Sequence, residues 1–106
     1  MLNAKIPHVT PLTSNRTGRA APNQTVLTIG RRVYLQSYES IVACYSTTNN
    51  RLTLGKHWDY SVTTMKYVNQ FIHDHADPRC IPGKVCAENI RKAIDCGLIE
   101  YNPDMI

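Results

Sequence analysis

The string HDHADP, residues 73–78, contains the side chains with the clearest capacity for chemistry. His73, His75 and Asp77 have the spacing with which an H-x-H-x-D-H motif supplies ligands to a two-metal hydrolase. Pro78 stands where that motif requires its last histidine, and such a site also needs ligands from distant loops of a larger fold. The string therefore does not predict a metallohydrolase.

A structural zinc site is a second possibility in the same region. It would use His73, His75, Cys80 and Cys86, since imidazole nitrogens and thiolates are the ligands that zinc prefers. The competing interpretation is that the histidines end a helix, where cations interact favourably with exposed carbonyls, and that the cysteines pack as small apolar residues. We adopt the second interpretation, which predicts no metal and no other cofactor.

Covalent and nucleotide chemistry have little support in the sequence. No spacing among the four cysteines and four histidines singles out a nucleophile with its base. The string PGKV, residues 82–85, lacks both the upstream glycine and the following hydroxyl of a phosphate-binding loop. Without a catalytic constellation, the sequence predicts a protein that is not an enzyme.

Positive charge is concentrated towards the N-terminus. The chain has 106 residues and a formal net charge of +4, and no acidic residue precedes Glu39. Residues 10–24 are rich in Pro, Thr, Ser, Asn and Gly and offer little apolar surface to bury. We therefore expect residues 1–23 to form a flexible basic arm and residues 24–106 to form a single domain.

Apolar runs in the sequence are short. None approaches the roughly 20 residues of a membrane helix, and residues 1–12 lack the apolar middle of a signal peptide. We expect a cytosolic protein that does not associate with a membrane and whose four cysteines are reduced.

Strand patterns dominate residues 24–55. The segments QTVLTI, VYLQSY, SIVACYS and RLTLG are rich in β-branched or alternating apolar residues, and short turns separate them. These short connections predict an antiparallel four-stranded meander. Within VYLQSY, the alternation places Tyr34 and Tyr38 on the same outward face.

Two helices should follow these strands. Ser61 can cap a helix from about Val62 to His75, and KVCAENIRKAIDCG predicts a second helix that ends at Gly97. The predicted sheet-facing stripe of the first helix consists of Val62, Met65, Val68 and Ile72. The elements together predict an α+β fold of two layers, in which two C-terminal helices pack on the meander.

Polar side chains of the first helix lie off this stripe, at spacings of three and four that would form one exposed face. They are Thr63, Lys66, Tyr67 and Gln70. Because tyrosine often dominates protein interfaces, we take this face as the candidate partner-binding surface. Trp58, Tyr60 and Phe71 are expected instead to cover the junction between the last strand and the helix.

A nucleic-acid surface is the alternative site. Strand tyrosines could stack on bases, while arginines of the arm, of the neighbouring turn and of the last strand could contact phosphates. The residues of this alternative are Arg16, Arg19, Arg31, Arg32, Tyr34, Tyr38 and Arg51. Neither the consensus of an RNA-recognition sheet nor a zinc-finger spacing accompanies them.

Three blocks, SNRTGRAAPNQ, YLQSYESIVA and LGKHWDYSVTTMKYVNQF, give the chain a family resemblance. They resemble the patterns S-N-R-x-G, Q-S-Y-x-x-x-I-A and W-D-Y-S-x-T-T-x-K-Y-x-x-Q-F of an uncharacterised family of small phage-encoded proteins. With the later block IRKAIDCG, the resemblance spans residues 14–97. Val68 stands where the family pattern has a basic residue, so a uniformly basic helix face is not implied. The resemblance implies a phage origin and no transferable activity.

These features predict a non-enzymatic phage accessory protein in the host cytoplasm. We expect it to bind a host macromolecule, a protein of host defence or nucleic-acid metabolism in the first instance, and to act as an inhibitor. Direct binding of DNA or RNA is the alternative.

Overall fold

A six-stranded sheet with two helices makes up the fold. The computed structural model describes residues 8–14, 17–81 and 83–105. The strands are β1 His8–Thr13, β2 Ala20–Ile29, β3 Arg32–Ser37, β4 Ser40–Ser46, β5 Arg51–Gly55 and β6 Glu100–Asn102, and the helices are α1 Val62–His75 and α2 Ala87–Asp95. A short 3-10 helix, Pro78–Cys80, lies between the two helices. No helix in these ranges is long and apolar enough to cross a membrane.

The middle of the sheet is the predicted meander. Strands β2 to β5 pair antiparallel with their neighbours in chain order. Gly30 has a φ of 60° in the two-residue turn between β2 and β3, a position for which glycine is well suited. The buried core lies between the sheet and the helices and includes Leu35, Leu54, Phe71 and Ile90. The α+β class and the four central strands are therefore confirmed.

Two edge strands make the sheet larger than predicted. β1 pairs antiparallel with β2, while β6 pairs parallel with β5, so the sheet is mixed and follows the order β1 to β6. Residues 8–13 and 20–23 thus lie in strands, and the prediction that they belong to a flexible arm is wrong. The predicted boundary after residue 23 falls inside β2, and residues 1–7, 15 and 16 of the predicted arm lie outside the described residues.

The weak sequence signal of β1 has a physical explanation. Leu12 is its one buried residue, and Pro11 interrupts the alternation. Proline cannot donate a ladder hydrogen bond and is tolerated on an edge strand such as this one. The strand is held largely by main-chain pairing with β2, which a composition-based prediction does not detect.

Helix α1 has the predicted bounds but presents a rotated face to the sheet. Ser61 Oγ accepts a hydrogen bond from the Thr64 amide at 3.1 Å, which confirms the predicted cap. The buried residues are Thr64, Tyr67, Val68, Phe71 and Ile72. Val62 is 80% exposed, so its predicted place in the stripe is wrong. Burying the larger rings of Tyr67 and Phe71 removes more apolar surface from water, which favours the observed rotation.

Helix α2 holds the connection between β5 and α1 in place. The Arg91 guanidinium lies 5.4 Å from the centroid of the buried Trp58 ring and 3.2 Å from the Asp59 carboxylate. Gly97 has a φ of 84°, as expected of the left-handed residue after a helix. Beyond it, Ile99 is buried in the core, whereas Leu98 is 42% exposed.

Candidate functional site

A hollow of about 680 Å³ opens at one end of the sheet, beside the start of α1. Its walls come from β2, from the end of β3 with the β3–β4 turn and the first residues of β4, from the β5–α1 connection and from α1. The lining residues are Asn23, Ser37, Tyr38, Glu39, Ser40, Val42, His57, Tyr60 and Thr64. We call this surface the concavity.

Two residues of the concavity have an unusual backbone conformation. Asn23 has a φ of 60° at the register shift between β1 and β2, and Tyr38 has a φ of 56° in the β3–β4 turn. The Gln36 Nε2 donates to the Tyr38 carbonyl at 2.9 Å and supports the turn. Left-handed backbone costs a non-glycine residue roughly 1–2 kcal/mol, and it is an outlier for a bulky aromatic side chain. Such strain concentrates at functional sites.

Exposed apolar side chains form the rim of the concavity. Tyr38 is 51% exposed, Tyr60 is 74% exposed and Val62 follows Tyr60 at the start of α1. The His57 ring meets the Tyr60 ring edge-on, with 5.6 Å between centroids. Tyrosine in this setting offers a rigid, amphipathic contact surface. The prediction that Tyr60 covers the strand–helix junction is wrong, because Trp58 does so from a position two residues earlier.

The floor of the concavity is polar. Ser37 Oγ and Thr64 Oγ1 are 3.2 Å apart, and Ser61 Oγ donates to Thr64 Oγ1 at 3.3 Å. Gln24, which stands opposite Ser37 in the sheet register, is 1% exposed. Within residues 8–14, 17–81 and 83–105, neither its side-chain oxygen nor its nitrogen has a hydrogen-bond partner. A buried polar group without a partner costs about 1–3 kcal/mol, so the Gln24 side chain lowers the stability of the fold.

The predicted partner face on α1 is only partly accessible. Thr63 and Lys66 are exposed, but Tyr67 is 6% exposed and packs in the core. Gln70 Nε2 donates to the Thr13 carbonyl of β1, and the Lys66 ammonium lies 5.0 Å from the Tyr67 ring centroid. The expectation of a continuous exposed face is wrong at Tyr67, because this ring belongs to the sheet-facing stripe.

The predicted nucleic-acid residues divide between the two ends of the sheet. Arg32 and Arg51 both stand opposite Ser46 and therefore share the sheet face turned away from the helices. Tyr34 alternates onto that face and stands opposite Cys44 in the sheet register. Burial raises the pKa of the Cys44 thiol, and the neighbouring Arg32 and Tyr34 side chains partly offset this rise.

The remaining members of this set lie elsewhere. Tyr38 is in the turn at the other end of β3, and the exposed Arg19 precedes β2 at that same end. Arg16 lies outside the described residues. Arg51 is engaged by the Glu100 carboxylate at 3.7 Å and by the Gly97 carbonyl at 3.4 Å. The structure thus joins Tyr34 with Arg32 and Arg51, places Arg31 in the turn immediately before Arg32, and separates these residues from Arg19 and Tyr38.

The four candidate metal ligands have other contacts. The His73 Nδ1 lies 3.4 Å from the Asp74 carboxylate, and the His75 ring packs against Phe71 with 5.0 Å between centroids. Cys80 is buried, and Cys86 begins α2. Across residues 8–14, 17–81 and 83–105, no three His, Cys, Asp or Glu side chains are grouped to hold a metal ion.

Asp77, the third residue of the hydrolase-like string, is part of an ion pair. Its carboxylate accepts hydrogen bonds from the Arg79 amide at 2.8 Å and from the Arg79 side chain at 2.8 Å and 3.1 Å. These bonds lower the pKa of the Asp77 carboxyl to about 2. These bonds engage both carboxylate oxygens of Asp77 and stabilise the turn after α1.

Sequence prediction did not find the concavity, because its members come from four separate segments. No sequence motif specifies Asn23, Ser40 or His57, and the alternation pattern predicts that Tyr38 lies in a strand. The one local signal is the turn between β3 and β4, since its short loop calls for a residue that tolerates positive φ and the sequence has Tyr38 there.

Comparison with known proteins gives one match. Residues 8–88 match the model of DUF8033, a family of unknown function. This range contains β1 to β5, α1 and every residue that lines the concavity. The searches of curated proteins and of solved structures returned no match.

Proposed function

The chain belongs to DUF8033, a family of unknown function, and we propose that it is a non-enzymatic protein that binds a host protein through the concavity. The proposal includes a phage origin and a site of action in the host cytoplasm, in line with the resemblance of its sequence blocks. The observation that carries it is Tyr38, whose half-exposed ring is presented by a strained backbone. A position that costs stability and presents an aromatic ring to solvent is well suited to recognition.

The composition of the concavity favours a protein partner. Two tyrosines stand at its rim, and hydroxyl and amide groups of Asn23, Ser40 and Thr64 lie between them. Tyrosine supplies contact area at low entropic cost, while serine and asparagine supply adaptable hydrogen bonds. Among the residues that the structure describes, no lysine or arginine lines the concavity, so these lining residues supply none of the cations that contact a nucleic-acid backbone.

Hydrogen bonding supports a binding role over catalysis. The Ser37 hydroxyl faces Thr64 rather than a histidine. Within the described part of the chain, His57 contacts the Tyr60 ring and forms no hydrogen bond to a hydroxyl or carboxylate. A nucleophile activated by a neighbouring base would need such a bond.

Affinity purification from the host tests this proposal. Wild-type protein should recover a stoichiometric protein partner, and Tyr60→Ala should not. Tyr101→Ala is the matched control, since Tyr101 is 43% exposed but lies on β6. Equal recovery by all three proteins, or recovery of no partner together with a measurable turnover reaction, would refute the proposal.

Nucleic-acid binding is a second candidate, favoured by one observation. The register puts Tyr34 beside Arg32 on the sheet face that no helix covers, with Arg51 across Ser46. Tyr34 is partly exposed there, and base stacking on a sheet aromatic with flanking arginines is a common mode of single-strand recognition. Affinity for single-stranded DNA that falls steeply with salt, and falls again in Tyr34→Ala, would support this candidate; weak binding insensitive to Tyr34→Ala would remove it.

A further inference from the structure

Two adjacent arginines stand at the end of the sheet opposite the concavity. Arg31 lies in the two-residue turn between β2 and β3, and Arg32 begins β3. Both are exposed, and neither forms an ion pair with any described residue. Two neighbouring cations without a carboxylate create a local positive potential that favours an anion.

A hollow of about 460 Å³ adjoins these arginines. Its lining residues are Ile29, Gly30, Arg31, Arg32, Ser46, Thr48 and Asn49. All of its polar side chains can donate hydrogen bonds, and none is a carboxylate. Guanidinium groups bind phosphate oxygens in a bidentate manner, and hydroxyl and amide donors can satisfy the remaining oxygens.

The two turns that form this hollow are fastened to each other. The Thr47 amide and the Thr47 hydroxyl both donate to the Arg31 carbonyl, at 2.9 Å and 3.0 Å. Arg32 stands directly opposite Ser46 in the sheet. The backbone that presents the donors is therefore already in place, which lowers the entropic cost of binding.

Two carboxylates on this side of the sheet are already paired. Asp77, which shares a neighbouring hollow with Asn49, lies 2.8 Å from the Arg79 guanidinium. Glu100 lies on β6 and is engaged by Arg51 at 3.7 Å. Arg31 and Arg32 are thus left as the cations of the hollow, whereas Arg51 is already paired.

We propose that Arg31, Arg32, Ser46, Thr48 and Asn49 form a binding site for a phosphate group, supplied by a nucleotide or by a nucleic-acid backbone. The site lies at the opposite end of β3 from the concavity and does not depend on the proposed protein binding. It shares Arg32 with the nucleic-acid candidate, but a mononucleotide would occupy it without Tyr34.

Nuclear magnetic resonance titrations of the full chain at low salt test this site with three probes: inorganic phosphate, adenosine monophosphate and a short single-stranded DNA. The amide signals of Thr47, Thr48 and Asn49 should shift on titration. The variant Arg31→Ala/Arg32→Ala should weaken binding about tenfold or more, since it removes both guanidinium groups. Because both side chains are exposed, the variant should retain the wild-type circular dichroism spectrum.

A charge-matched control separates a built site from general attraction. Lys56→Ala/Lys84→Ala removes the same charge from exposed positions outside the hollow and should change affinity by no more than about twofold. Equal weakening by both double variants, or no shift of the three amides with any probe, would overturn the proposal.

The probes also identify the source of the phosphate. Saturation by adenosine monophosphate with no tighter binding of DNA would support a nucleotide site. Tighter DNA binding with a steep salt dependence would support the same site as a nucleic-acid contact.

Discussion

The backbone amide of Tyr38 donates a hydrogen bond to the backbone carbonyl of Asn23 at 2.7 Å, and both residues have left-handed backbone conformations. This bond extends the β2–β3 pairing one step beyond Gln24 and Ser37. It ties the register shift of β2 to the β3–β4 turn, and so sets the position of the exposed Tyr38 ring. Asn50 in the β4–β5 turn also has a positive φ of 52°, but Tyr38 is the bulky aromatic residue of the three and its exposed ring lines the concavity, which is why we assign recognition to this end of the sheet.

Replacing Tyr38 separates backbone strain from side-chain recognition. Tyr38→Gly removes the left-handed penalty, whereas Tyr38→Ala keeps it, and both remove the ring. In chemical denaturation, the glycine variant should be more stable than the alanine variant by about 1 kcal/mol. Both should lose partner binding. Equal stability of the two variants would show that the turn is not strained.

The buried amide of Gln24 should be a cost to the fold. Gln24→Met replaces an unpartnered polar group with an apolar chain of similar shape and should raise the free energy of unfolding by about 1 kcal/mol. Gln36→Met is the control, because the Gln36 amide donates to the Tyr38 carbonyl; it should lower stability instead. A loss of stability in Gln24→Met would mean that its amide has a partner in solution.

The face that α1 turns to the sheet can be tested with two valines of the same helix. Val68 is fully buried and Val62 is 80% exposed. Val68→Ala should lower the free energy of unfolding by about 2 kcal/mol through lost burial and a cavity, while Val62→Ala should change it by no more than about 0.5 kcal/mol. The opposite order in denaturant midpoints would mean that α1 turns Val62 towards the sheet, as the sequence predicts.

Stability should decrease as the pH falls below 6.5. The His75 side chain is exposed on one side and packs against Phe71 on the other. This partial desolvation lowers its pKa from the ordinary value of 6.5, and Asp74 offsets the shift in part. The unfolded chain then binds a proton more readily than the folded chain, so the stabilisation is complete above 6.5 and is lost as the pH falls towards the lowered pKa. Asp77, with a pKa of about 2, stays ionised throughout.

Denaturation from about pH 5 to about pH 8 checks this dependence. His75→Gln should flatten the profile, and His73→Gln, which removes the other histidine of the same helix and leaves the Phe71–His75 contact in place, should preserve it. A wild-type profile that His75→Gln leaves unchanged would assign the effect to another group.

Elements with local signals could be predicted from the sequence. The bounds of α1 follow from the Ser61 cap and from the prolines after Asp77, and the central strands follow from alternation between short turns. Such signals depend only on residues close together in the sequence, so they can be recognised without knowledge of the tertiary structure. The same holds for Gly97 at the end of α2.

Features that depend on distant pairing could not be predicted in this way. β1 has one buried side chain and is held by main-chain bonds to β2. Tyr67 carries the same side chain as Tyr60, yet one is buried and the other exposed, because only packing against the sheet decides which ring enters the core. The concavity combines segments from Asn23 to Thr64 and exists only once the sheet has formed.

The most direct test of the account is the affinity of the purified partner for Tyr60→Ala, measured by isothermal titration calorimetry. Tyr60 is 74% exposed, so its removal should leave the fold intact. We predict that Tyr60→Ala weakens binding about 30-fold, which corresponds to about 2 kcal/mol, and that Tyr101→Ala binds like the wild type. Wild-type affinity in Tyr60→Ala would contradict the assignment of the concavity as the partner-binding site.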